Sequence, residues 1–319
     1  MRGASFEPER VPPVHPASDA IKAAGAPQKR ALVLAGAGAA GNAWELGLIA
    51  GLADAAVDLT EAELIVGTSA GSTVAAQITS GTPPAELYAA ILFEAPRPQT
   101  VGSNRERRGG SAGPSYMEWS DAVIASAADA ADMRRRMGAA ALERDAPDGS
   151  GSARWREVVA TRLPSRDWPQ QSVLIAAVDA CTGEPVVFDR HSGIDLVDAV
   201  AASTSNGFAG PYRVGDDRYI NGGYRRNENA DLAAGCGRVL VLSPFGGRSR
   251  HPLDWGMDLA TQVDELRANG SRVETIFPDS DSEHMFGANA LDPSLRPPAA
   301  RAGYDQGKAL AARLAEFWR

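Results

Sequence analysis

Cysteine is scarce. Cys181 and Cys236 are the only two in 319 residues, too few for a disulfide scaffold, and the expectation is two small core residues in a reducing compartment. Histidine occurs four times, at His15, His191, His251 and His284. None sits in a recognisable motif, each reads as a surface residue, and a Ser-His-Asp triad has no support. Positive charge is outweighed, with 32 basic against 40 acidic residues and a net charge of −8. Phosphate-backbone binding needs clustered basic charge, so nucleic acid is excluded as a general partner. No apolar run is long enough to span a bilayer, and residues 1–28 hold no apolar signal core. A cytoplasmic protein follows, whose lipid contact, if it has any, is peripheral to the membrane.

The 44% hydrophobic content is ample for a core. Residues 1–29, rich in Pro, Ala and charge, read as a disordered tail, and 30–319 as one domain. Ala31-Leu32-Val33-Leu34 reads as a buried strand before a glycine-rich turn. Trp44, Leu48 and Leu52 then recur at helical spacing. A second strand at Leu64-Ile65-Val66 and a second helix complete a βαβα unit, which requires a parallel sheet with right-handed crossovers. The segment 95–170 reads as a helical insertion, either structural or a lid. Strands recur at 173–178, 186–188, 219–220, 238–242 and 273–277, with helices around Leu196, at 259–267 and at 300–318. The fold class is therefore α/β, a mostly parallel sheet with helices on both faces.

Gly67-Thr68-Ser69-Ala70-Gly71 lies between the second strand and the small residues that open the second helix. Strand, sharp turn and helix with a serine at the turn is the layout of a nucleophile elbow, where Gly67 and Gly71 permit close backbone approach. With 33 glycines, such a string arises by chance roughly 0.2 times in a chain of this length. A second copy at Gly109-Gly110-Ser111-Ala112-Gly113 lacks the flanking strand and helix. Context selects Ser69.

Gly36-Ala37-Gly38-Ala39-Ala40-Gly41 follows a strand and opens a helix, which satisfies the dinucleotide-binding string. A nucleotide site would want an acidic residue closing the second strand, and that strand runs into Gly67-Thr68-Ser69 instead. The other reading is an oxyanion hole built from the N–H groups of the loop and facing Ser69.

These glycine motifs, followed by Asn221-Gly222-Gly223 and Asn229-Ala230-Asp231-Leu232, resemble the patatin-like phospholipase family over about residues 30–245. The resemblance implies a three-layer α/β fold, a Ser–Asp dyad without histidine, and hydrolysis of acyl esters of phospholipids and other lipids. It implies Ser69 as nucleophile, Gly36, Ala37 and Gly38 as oxyanion loop, and residue 221 as dyad partner before Gly222 and Gly223. No metal or organic cofactor is implied, and the partner is a lipid or other acyl-ester substrate. An acyltransferase would differ only in the acceptor.

Two positions depart from the family pattern. Ala40 stands where Arg or Lys is usual, and Asn221 stands where the dyad aspartate belongs. An amide carbonyl is too weakly basic to take the serine proton, which implies a weakened hydrolase. Three accounts of Asn221 follow: a weakly active or non-catalytic relative that still binds acyl lipids, a substitution introduced into the chain, or a replacement carboxylate at Asp216 or Asp217. The last is disfavoured because residues four or five positions back on a strand do not reach the same point.

Overall fold

The computed structural model describes residues 29–93 and 115–319. Residues 1–28 of the tail read from 1–29 and the second serine motif at 109–113 lie outside the described residues, as does the start of the insertion. Among the described residues one sheet of eight strands dominates. Its parallel centre is β1 (Arg30–Leu34), β2 (Leu64–Thr68), β3 (Ser172–Asp179), β7 (Arg238–Leu242) and β8 (Arg272–Ile276), in the order β3-β2-β1-β7-β8. Three antiparallel strands extend it: β4 (Pro185–Phe188) and β6 (Asp217–Asn221) pair with β3, and β5 (Tyr212–Val214) pairs with β6.

Side-chain alternation splits each central strand between two faces. Leu32, Leu34, Ile65, Ile175, Leu240 and Leu242 point into one cluster, while Ala31, Val33, Val66, Val239 and Val241 point into another. The first face is covered by α1 (Gly38–Asp54), α2 (Ala70–Ile78), α7 (Leu196–Thr204) and α9 (Arg296–Trp318), the second by α8 (Leu259–Ala268). Helices therefore lie on both faces of a mostly parallel sheet.

Helix α1 differs from the one-sided helix expected of its spacing. It is buried along nearly its whole length, because α9 covers the side turned away from the sheet. A Cβ at Gly47 would stand 2.0 Å from the Ala300 carbonyl oxygen, so only glycine lets the two helices approach this closely. Trp44 donates Nε1–H to Gln306 Oε1 at 3.0 Å across the seam. Leu48, Ile49 and Leu52 are fully buried there, each contributing about 1.5–3 kcal/mol. The first helix is thus a rigid rod with its N-terminus at the carboxyl ends of the strands.

After α3 (Pro84–Leu92), the described part of the insertion holds α4 (Tyr116–Ser126), α5 (Ala130–Leu142) and α6 (Ser150–Ala160). Within it, α4 ends at Ser126 and Asp129 starts a new helix, accepting the Asp132 N–H at 2.7 Å. Arg134 of α5 donates to the Gly183 carbonyl at 2.9 Å. Cys236 is buried as expected, but Cys181 is exposed. It sits in the β3–β4 turn, where Asp179 Oδ1 accepts the N–H groups of Cys181 and Thr182.

Register places two chain segments together. Strand β2 ends with Thr68 opposite Ala176, and on the next residue of β3 Ala177 pairs with Asn221, the last residue of β6. Ser69 and Asn221, 152 residues apart, thus meet where one strand stops and the other arrives.

Candidate active site

Ser69 sits between β2 and α2 with φ 52° and ψ −118°, a backbone costing about 1–3 kcal/mol for a non-glycine residue. The surroundings hold it there. Its N–H donates to Ser203 Oγ at 2.9 Å, and its carbonyl accepts from the Ser72 hydroxyl at 2.6 Å. A Cβ on Gly71 would stand 2.1 Å from the Leu34 carbonyl oxygen, and one on Gly67 2.7 Å from Ser72 Cα. Both motif glycines are therefore required by contact, and the turn presses against the end of β1.

The glycine loop leaves β1 beside that turn. A Cβ on Gly36 would lie 3.0 Å from Ser69 Cβ. The Gly36 N–H is occupied, donating to the Asn227 carbonyl at 3.2 Å. The N–H groups of Ala37 and Gly38 have no acceptor among the described residues. They form the positive end of the 17-residue helix α1 and favour negative charge in front of them. Gly38 has φ +61°, a left-handed conformation that aims its N–H without steric cost. Ala40 is fully buried, and its N–H donates to the Ala290 carbonyl at 3.0 Å. The segment around Ala290 thus packs against the first turn of α1.

Asn221 Oδ1 accepts the Gly223 N–H at 2.8 Å, and its Nδ2 donates to Ser69 Oγ at 2.9 Å. The first bond fixes the amide orientation, because a backbone N–H can donate to the amide oxygen but not to the amide NH2. Gly222 lies against β3, where a Cβ would stand 2.1 Å from the Ala176 carbonyl oxygen. Asp217, at the other end of β6, accepts from the Tyr219 hydroxyl at 3.4 Å. Five strand residues span ~15 Å, so the geometry gives neither Asp217 nor Asp216 the position that Asn221 holds.

Fully buried Asn229 locks these pieces together. Its Nδ2 donates to Thr68 Oγ1 at 2.9 Å, to the Gly222 carbonyl at 3.2 Å and to the Arg226 carbonyl at 2.6 Å. Its Oδ1 accepts from Arg225, whose guanidinium also pairs with Asp231. One side chain thereby ties the residue before Ser69 to the glycine after Asn221.

A cavity of about 460 Å³ opens over Ser69 and Asn221, within the range of small-molecule sites. Gly36, Ala37, Gly38 and Gly223 line it with Ser69 and Asn221, whereas Gly67, Gly71 and Gly222 do not line it and pack against neighbouring backbone. Apolar walls come from Met117 and Ile124 of α4, from Phe245 and from Leu291.

Several site residues were not evident from the sequence. Glu45 is fully buried on α1 and accepts the Ala35 N–H at 2.9 Å, just before the glycine loop. Burial without a counter-ion pushes its pKa well above the usual carboxylate range. Glu228, also buried, accepts from Ser243 at 2.9 Å and from Asn227 at 3.1 Å, and burial raises its pKa too. His251, read as a surface residue, instead lines the cavity beside Trp255. Burial, aided by the Arg250 charge, lowers its pKa to about 4. These positions carry no motif; only Asn229 stood within a recognisable string. Among the described residues no helix is long and apolar enough to cross a membrane, and no three His, Cys, Asp or Glu side chains gather as a metal site.

A family model described as patatin-like phospholipase matches residues 32–234. Among solved structures, the chain is similar to VipD from Legionella pneumophila, with 13% identity, 90% of this chain and 67% of that one covered, and a TM-score of 0.42. It is similar to the type III effector ExoU at 17% identity, covering 90% of this chain and 53% of that one, with a TM-score of 0.40. The Pseudomonas aeruginosa complex of ExoU with SpcU gives 17% identity, 88% and 53% coverage, and a TM-score of 0.34. The chain thus spans about half the length of ExoU. No curated protein matches it.

Proposed function

The chain belongs to the patatin-like phospholipase family, and on that premise we propose that it is a serine acyl-lipid hydrolase, weakened by asparagine at its dyad position. The observation that carries the reading is Ser69 in a strained turn, facing two unoccupied backbone donors and touching residue 221 at 2.9 Å. Ser69 Oγ attacks the ester carbonyl, and the carbonyl oxygen takes up charge in front of the Ala37 and Gly38 N–H groups. Donors preorganised in this way are each worth ~10²–10³ in rate. The ester C–O bond then breaks, the alcohol leaves with a proton, and water releases the acyl group from Ser69.

Proton transfer is the weak step. Asn221 presents N–H to the serine and has committed its oxygen to Gly223. An aspartate in the same pose would keep one oxygen on Gly223 and turn the other to Ser69 as a base. Loss of a positioned base removes ~10²–10⁴ of the rate.

The substrate enters from a lipid surface that the protein contacts peripherally, and α4 covers the cavity, its Met117 and Ile124 forming part of the wall. A second reading, an acyl-lipid-binding protein without turnover, is favoured by the donor character of Asn221. Incubation with an activated fluorophosphonate, followed by peptide mass analysis, separates the two. Adduct on Ser69 supports the hydrolase; an unmodified Ser69, in a protein that still binds lipid, leaves the binding reading in its place.

A further inference from the structure

The cavity over Ser69 is free of acid. None of the described residues lining it is Asp or Glu, although the chain carries eight more acidic than basic residues. Two arginines reach it, Arg248 and Arg250, and they differ. Arg250 is consumed by the cavity wall: it pairs with Asp121 and donates to Ser120 Oγ at 2.8 Å, pinning the loop after β7 to α4. Arg248 is exposed and has no hydrogen-bond or ion-pair partner for its side chain among the described residues. The remaining basic residue of the wall, His251, is held neutral near pH 7 by burial. One uncompensated guanidinium thus stands at a chamber whose other lining groups are apolar, neutral or, in Arg250, ion-paired.

From this placement we infer that Arg248 selects acyl esters bearing an anionic group, a phosphate or carboxylate close to the scissile ester, over neutral and zwitterionic ones. The inference rests on the acyl-ester reading of the cavity and adds to it a charge preference and the residue that sets it. A guanidinium fork matches phosphate and carboxylate oxygens in a way an ammonium does not. A cationic headgroup would find no carboxylate to compensate it. The chain of an anionic amphiphile would lie against Met117, Ile124 and Leu291, with its charged end at Arg248. Because the contact is solvent-exposed, it is worth about 1 kcal/mol, a five- to tenfold preference.

Binding rather than turnover tests this, because Asn221 leaves the protein slow. Affinities of the full chain for dihexanoyl phosphatidic acid, dihexanoyl phosphatidylcholine and dihexanoylglycerol, all below their micellar concentrations, are compared by calorimetry. Inorganic phosphate serves as a fourth probe. The expected result is five- to tenfold tighter binding of phosphatidic acid than of the other lipids. In Arg248→Gln that ratio falls to near one, while Arg190→Gln, away from the cavity, keeps it. Equal affinities for the three lipids in the unmodified protein, or a ratio retained in Arg248→Gln, would overturn the inference and leave the acyl-ester reading standing. Phosphate binding as tightly as phosphatidic acid would overturn the lipid source of the anion. Failure of every lipid to bind would instead remove the acyl-ester reading beneath it.

Discussion

Asn221 donates an amide hydrogen to Ser69 Oγ across 2.9 Å, so the group beside the hydroxyl is a donor where proton transfer requires an acceptor. The Gly223 N–H on the amide oxygen prevents the side chain from turning over. Register on β3 sets the separation of the two residues, and an aspartate needs no rearrangement to occupy the same place.

The glycine loop makes a sharp prediction at Gly38. With φ +61° and a would-be Cβ 2.6 Å from the Ala290 carbonyl oxygen, Gly38→Ala must shift either the loop or the segment beneath it. We expect a loss of about 1–3 kcal/mol in stability, read by thermal melting. Esterase activity, measured in the Asn221→Asp background, should fall ~10²-fold as the donors move off target. Unchanged activity in a folded Gly38→Ala variant would remove the loop from the mechanism.

Asn229 should tolerate no acid. Asn229→Asp replaces an NH2, whose two hydrogens are shared among Thr68 Oγ1 and the Gly222 and Arg226 carbonyls, with a carboxylate oxygen facing both carbonyls. The expected cost is about 3 kcal/mol, visible as a lower denaturation midpoint, together with slower phosphonate labelling of Ser69. A variant of native stability would show that the loop after β6 is held by other contacts.

Glu45 predicts a pH signature. Burial raises its folded-state pKa well above the ordinary glutamate value of 4.5. Above that pH the unfolded chain releases this proton while the folded chain keeps it, so the carboxyl erodes stability as pH rises. Below the unfolded pKa the penalty vanishes. Glu45→Gln keeps the oxygen that accepts the Ala35 N–H and removes the ionisation. Its melting temperature should therefore gain on that of the unmodified protein as pH rises from 4 to 8. A difference independent of pH would mean that the carboxyl ionises in the folded state.

Much of this architecture was readable because local pattern and tertiary demand agree. The runs Ala31–Leu34 and Ile65–Val66 are buried on both faces as parallel strands, and the glycines that follow them are the ones contact requires. Ser69 was legible for the same reason, since its motif lies between a strand and a helix. Glu45 was hidden because a carboxylate on an apolar helix gives no sign of its partner until the Ala35 N–H is brought to it. His251 was hidden because its burial comes from Trp255 and from the packing of its loop against α4, contacts that its sequence neighbourhood does not announce. Asn227 and Ser203 contribute a carbonyl and a hydroxyl to backbone N–H groups, and such roles leave no spacing in the sequence.

The most direct test of the account is hydrolysis of p-nitrophenyl butyrate by the unmodified protein, by Asn221→Asp, and by Asn221→Asp combined with Ser69→Ala. The dyad reading predicts a gain of ~10²–10⁴ in kcat for Asn221→Asp, abolished when Ser69 is also replaced. An unmodified protein that is already fast, with no gain from Asn221→Asp, would contradict it and place the base elsewhere.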